Sequence, residues 1–320
     1  TYTWYAGDTG VELTPGTGSA TPVEFGATNL VSSDPIKHSN KSAIGSLIIE
    51  PFDSTWVEDN DSTHSATIWK PQYAYNCITE PCPEPPREYF REFVLQFQND
   101  LNMRFHDGSP VPNLAEAEDA EDSGQKALNY RTEPFWTRLC YWPALPLTGG
   151  SLTTASQCPQ SNAQATRQLD MTNSLHNVQI GNRDPVTPIF TAGAGEEVRF
   201  RVLHSGGHAR NNVFTAHGHI WQEMPYQTGS SSTVIGFNDN SPWHGSQWGH
   251  GPSNHFDVRI ERAGGAFGIL GDYLYRTLQS FQFDGGMWGL FRVADRIYAP
   301  PEKCLSCDIQ EVPASPSQPK

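Results

Sequence analysis

Seven of the chain's eleven histidines fall between residues 201 and 255: His204, His208, His217, His219, His244, His250 and His255. Imidazole suits copper and zinc, so this density is the first chemical signal in the sequence. His217-Gly218-His219 is the tightest pair, and on a strand two such side chains share a face. One reading is a transition-metal site, with His204 and His208 as further ligands. The other is a set of satisfied polar residues in a Gly- and Trp-rich region. The stretch 238–254 carries His244 and His250 beside Trp243 and Trp248. It reads as an ordered loop whose tryptophans cover a core edge and whose histidines bond backbone. Glu116, Glu118, Asp119, Glu121 and Asp122 form a run of carboxylates. Such oxygens attract hard cations, although a solvated acidic loop explains the run equally well. No nucleophile elbow, P-loop, dinucleotide fingerprint or HExxH occurs, so hydrolase and nucleotide chemistry have no support.

The elements that must position these residues follow a period of two. Phe93, Leu95 and Phe97 alternate within 91–98, Val198, Phe200 and Val202 within 197–203, and Phe256, Val258 and Ile260 within 255–261. Denser apolar runs at 46–50 and 287–293 fit strands buried on both faces. The best helical candidate, Asn113–Lys126, is short and acidic. Pro and Gly together number 53 (25 and 28) of 320 residues, which favours turn-rich β architecture. The expectation is an all-β chain of sandwich or barrel type.

Composition narrows the partners. A net charge of −14 repels phosphate backbones and argues against nucleic acid. No apolar run approaches the roughly 20 residues of a transmembrane helix. The six cysteines group as Cys77 with Cys82, Cys140 with Cys158, and Cys304 with Cys307. Short local disulfides and an oxidising, extracytoplasmic compartment are expected; a zinc half-site at Cys304 and Cys307 is the competing reading. The proline-dense stretch 77–87 reads as a linker between a first β unit, 1–76, and a second, 88–296. A long insertion is expected at 148–168, and a Pro- and Ser-rich tail at 297–320.

Several segments resemble the multicopper oxidase family. Val213-Phe-Thr-Ala-His-Gly-His-Ile-Trp221, then 271–276 and 285–293, is similar to its last cupredoxin domain, where the motifs read HPxHLHGH and HCHxxxHxxxGM. Residues 26–30 and 43–51 look like the family's earlier HSH…GALIVEP region, with 2–8 similar to the strand before it. The resemblance implies tandem cupredoxin-like Greek-key sandwiches, the first incomplete at its N-terminus. Large bacterial members, manganese oxidisers among them, are the nearest in flavour.

The same resemblance implies copper ligands that this chain largely lacks. Asn212 falls at the mononuclear copper's first histidine and Thr215 at a trinuclear one. Arg276, Thr277, Leu278 and Gln282 fall where His, Cys, His and His are expected. His217 keeps a ligand position, His219 follows it, and Met287 keeps the axial position. Ser32-Ser33-Asp34 falls at the HSH pair, with His38 at the glutamine. A blue copper centre needs a thiolate, and a permanent guanidinium repels copper. Copper therefore enters as a cofactor the family implies and this chain's residues poorly support.

Three functions remain open at this point. The chain is a degenerate, secreted multicopper-oxidase-like module with a structural or interaction role. Its partner is then another polypeptide or an upstream segment completing the first domain, within an oligomer or multi-subunit assembly. Alternatively it is the C-terminal portion of a larger active oxidase of Mn(II) or phenols, with working coppers elsewhere. A third reading is metal buffering by the histidines and the acidic run, without turnover.

Overall fold

The computed structural model describes residues 24, 26–34, 38, 43–51, 54–59, 64–70, 88–101, 108, 125–134, 184–207, 210–226 and 235–295. All six cysteines, His208, the carboxylate run 116–122, the insertion 148–168 and the tail lie outside these residues, as does the stretch 77–87. The described residues are nearly all β, a sandwich built mainly on two sheets.

The larger sheet is organised around one 13-residue strand. Its strands are β3 (Thr55–Glu58), β4 (Ser65–Trp69), β5 (Tyr89–Leu101), β6 (Gln125–Leu128), β8 (Val198–Gly206) and β12 (His255–Ile260), in the order β12-β8-β5-β4-β3. β5 is long enough to take β4 and β6 along one edge and β8, in parallel, along the other. The strands on either side of 77–87, β4 and β5, are thus neighbours in one sheet. Residues 125 and 126, the end of the expected helix, belong instead to β6. Pairing with the far end of β5 overrides the weak local helical pattern there.

The smaller sheet contains β7 (Ile189–Gly193), β9 (Phe214–Ala216), β13 (Gly271–Thr277) and β14 (Trp288–Ala294), in the order β7-β14-β13-β9. Its β7–β14 pair is parallel and the other two pairs are antiparallel. The core fills the space between the sheets. Phe93, Leu95, Phe97, Val198, Phe200, Val202, Val258 and Ile260 point in from one side; Phe190, Phe214, Tyr275, Phe291 and Val293 meet them from the other. The alternation in the sequence identifies these inward faces. Phe93 stacks on Phe190 with ring centres 4.8 Å apart, and Phe200 meets Phe291 edge-on at 5.5 Å.

The outward face of the larger sheet is also covered. β1 (Gly26–Val31) and β2 (Ile44–Ile49) form an antiparallel hairpin. Gln96 on β5 donates to Ser46 on β2, and Ser205 on β8 donates to Asn29 on β1. Beneath this cover lie Glu92, Arg199, Arg201 and Asp257, all buried. Burial of such groups is tolerated only with partners, and each has one. Arg199 pairs with Glu24 and Glu197. Arg201 pairs with Glu50, Glu92 and Asp257.

One glycine lets β13 and β14 of the smaller sheet make a close contact. The Tyr275 hydroxyl donates to the Pro188 carbonyl at 2.7 Å, passing directly over Gly289, which pairs with Tyr275 in the ladder. A Cβ at position 289 would overlap that hydroxyl and lie 2.7 Å from the Pro188 oxygen. Gly289→Ala is expected to destabilise by about 1–3 kcal/mol, the usual cost of overpacking. Urea midpoints check this, and an unchanged midpoint would show that the Tyr275 ring moves aside freely.

Candidate functional site

β9 and β13 run side by side, and their ends carry the positions that the family resemblance aligns with a mononuclear copper centre. Thr277 is the last residue of β13. Its hydroxyl accepts the Val213 amide at 3.3 Å and donates to Gln279 at 2.6 Å. The chain then makes a one-turn helix, α1 (Ser280–Asp284), and returns. Met287 donates its amide to the Gln282 carbonyl at 3.1 Å, and Thr277 donates its own to Met287 at 3.2 Å. The Gln282 side-chain oxygen ends 3.5 Å from the Thr277 hydroxyl. Asn212 enters through its neighbour Val213. All four side chains, Asn212, Thr277, Gln282 and Met287, are fully buried.

The donors here are two amides, a hydroxyl and a thioether. The amide group of Asn212 and the amide nitrogen of Gln282 have no hydrogen-bond partner. None of these four side chains is a thiolate or an imidazole, and a blue copper site requires both. The residues at this place do not fit the family's copper. Among the described residues no group of three or more His, Cys, Asp or Glu side chains is arranged to hold a metal ion.

His217 and His219 do not act together. β9 ends at Ala216, and Gly218 takes a left-handed φ of 75°, which breaks the alternation that would have aligned the two rings. His217 is exposed, and its Nε2 accepts from the Arg276 guanidinium at 3.2 Å. Partial burial, then the Arg276 charge, holds its pKa below the ordinary value. His219 turns inward, and both its nitrogens meet backbone: Nδ1 at the His217 carbonyl, 3.1 Å, and Nε2 accepting the Gly264 amide, 3.0 Å. Burial lowers its pKa, against the pull of that carbonyl. Met287 packs in the core between the sheets.

The other histidines divide sharply. His38 is exposed and bonds Ser32 at 2.8 Å. His244 lies 3.3 Å from Glu223. His204, on β8, and His250 are buried, with ring centres 5.9 Å apart and planes at 82°. Burial drives the pKa of His204 to about 4, opposed by nearby backbone of His250 and Gly206. Burial, with His204 beside it, drives His250 to about 3. The expectation for 238–254 fails for its tryptophans. Trp243 and Trp248 are 43% and 66% exposed rather than covering a core edge, while the Trp248 backbone stands beside the His250 ring.

A cleft of about 240 Å³ opens where the β1–β2 hairpin meets β3, β4 and β5. Glu50, Glu92, His64 and Trp56 are among its walls. Burial holds the Glu50 carboxyl well above its ordinary range, with Arg201 pulling it back and Glu92 adding to the rise.

No family model and no curated protein sequence matches this chain. Solved structures do. Copper nitrite reductase from Nitrosomonas europaea is 12% identical over 84% of this chain and 62% of its own, with a TM-score of 0.38. A multi-copper oxidase from Pseudomonas thermotolerans is 11% identical over 65% of this chain and 30% of its own, at 0.29. A further multicopper oxidase is 10% identical over 84% of this chain and 70% of its own, at 0.32. This chain thus spans less than two thirds of the length of the first two.

Proposed function

We propose that this chain is a cupredoxin-like scaffold without the family's copper redox chemistry, serving as an interaction module in a larger extracytoplasmic assembly. One observation carries the reading. At the mononuclear position the buried side chains are Asn212, Thr277, Gln282 and Met287, which cannot supply a copper–thiolate centre. The neighbouring position that resembles a trinuclear site brings Arg276 against His217, and a guanidinium there repels a cation. The interaction role is supported by β3, exposed at all four residues on the edge of the larger sheet. Its Trp56 and Val57 are 61% and 55% exposed. Among the described residues no strand pairs with its outer edge, and an apolar edge of this kind is a template for strand addition. The partner in this reading is a polypeptide or upstream segment that completes the first unit.

The test is the visible and copper EPR spectrum of natively purified protein, read beside oxidation of Mn(II) and a phenol. The expected result is neither an intense copper–thiolate band nor turnover. Stoichiometric copper with that band would overturn the reading. Turnover that appears only with companion chains would favour the larger-oxidase alternative.

A further inference from the structure

Six of the buried side-chain atoms left without a hydrogen bond belong to four residues near one end of the larger sheet. They are Asn99 Oδ1, His204 Nδ1, both amide atoms of Asn212 and both ring nitrogens of His250. Each residue is at most 3% exposed. Native interiors leave few such atoms, and a concentration of them calls for an ion or ordered water.

The backbone explains the convergence. His204 pairs with Phe97 across the parallel β5–β8 ladder, so it shares the inward face with Phe97 and, two residues on, Asn99. Asn212 and His250 form an antiparallel bridge with amide bonds in both directions, 2.7 and 2.8 Å. Directly opposed residues present their side chains on the same side. The rings of Phe97 and Phe256 stand edge-on to His250 at 4.8 and 5.1 Å, so its surroundings are apolar on that side.

We propose that His204 and His250, with the Asn212 amide oxygen, form a binding site for one divalent transition-metal ion, whose two histidines are not among the positions that align with the family's copper ligands. The ring spacing suits a shared ion. Metal–nitrogen bonds of about 2 Å place each ring centre about 3.2 Å from the ion, so two rings on one ion lie about 5–6.4 Å apart. The observed 5.9 Å falls inside that range. His204 Nδ1 is the ligating atom, because Nε2 faces the Asn99 amide at 3.4 Å. With the ion on Nδ1, Nε2 carries the hydrogen and donates to the Asn99 oxygen once that amide turns over. This is the usual outer support of a ligating histidine. Two imidazoles and an amide oxygen leave one position for water, a donor set suited to Zn²⁺ or Cu²⁺.

The site rests on no part of the scaffold reading. A copper–thiolate band would overturn that reading and leave this one standing. The test uses the full chain, stripped with a chelator and titrated with Zn²⁺ or Cu²⁺ alone. One ion per chain is expected, with nitrogen couplings from two imidazoles in the Cu²⁺ EPR spectrum and a higher thermal midpoint with Zn²⁺. His204→Gln and His250→Gln are each expected to weaken binding by more than about 100-fold, beyond the loss of a merely supporting partner. His217→Gln and His244→Gln are expected to leave it unchanged. The wild-type EPR spectrum decides the matter should either buried variant fail to fold. No stoichiometric ion, binding that survives both buried substitutions, or couplings from other than two imidazoles would overturn the proposal and leave ordered water as the occupant.

Discussion

Arg201→Ala is expected to cost about 3–5 kcal/mol or more, enough to unfold many domains of this size. Arg201 is fully buried and forks three ways: to Glu92 at 2.9 Å, to Asp257 at 3.0 Å and to both oxygens of Glu50 at 3.2 Å. One guanidinium therefore faces three carboxyl groups. Burial pushes the pKa of Glu50 and of Asp257 up, while Arg201 pulls both back. Removing the cation leaves those groups buried without their main partner. Arg201→Lys keeps the charge but not the fork, so an intermediate loss is expected. Arg292 is the control. It binds Asp184 and Asp272 at 2.7–3.0 Å, but at partly exposed positions, and Arg292→Ala is expected to cost less than about 1 kcal/mol. Urea denaturation of both variants checks the contrast. Equal losses would mean that burial does not govern the strength of these pairs.

Chelator-treated protein is expected to be acid-labile well above the range where carboxylates protonate. His204 and His250 have folded pKa values of about 4 and about 3, below the ordinary 6.5. The unfolded chain therefore binds their protons first. Their contribution is complete above about pH 6.5 and is lost as pH falls through that value toward the folded pKa. Each costs about 1.4 kcal/mol per pH unit in that window, so together they remove roughly 4 kcal/mol by pH 5. Glu50 and Asp257 work in the opposite direction. Their raised pKa values mean that the folded state takes up protons more readily, and acid favours them. Comparing wild type with the His204→Gln/His250→Gln double variant isolates the histidines. The variant is expected to show a flatter stability profile between pH 7.5 and pH 5. Parallel profiles would show that the two rings are protonated, or solvated, in the folded state.

The inward half of the sandwich is legible in the sequence because burial there is apolar and strictly alternating. Phe93, Leu95 and Phe97, or Val198, Phe200 and Val202, identify their own face. The intervening residues Glu92, Arg199 and Arg201 look like solvent positions for the same reason. Their burial depends on a hairpin about 50–150 residues earlier in the chain, and no local pattern signals a distant cover. The family motifs bring Thr277, Gln282 and Met287 to one place because one tight return makes that juxtaposition local. The period of two does not carry through His217 and His219, because Gly218 at positive φ breaks it and sends the two rings to different surroundings. The proximity of His204 to His250 left no trace in spacing. It arises where the segment after His250 returns beside β8, with amide bonds between His204 and residues 253 and 254, and the one sequence hint is a histidine amid the apolar run of β8.

β5 accepts three strands, and its parallel partner β8 arrives about a hundred residues later. At ribosomal speeds of about 5–20 residues per second, that interval lasts roughly 5–20 s. Throughout it the segment Phe90–Gln98 can close only one of its edges, while Phe93, Leu95 and Phe97 have no opposing sheet. The parallel β7–β14 pair imposes a second wait of similar length. A newborn copy of this chain thus passes through seconds in which a long, half-paired apolar ribbon is open to its neighbours, an exposure that the stability of the finished sandwich does nothing to shorten.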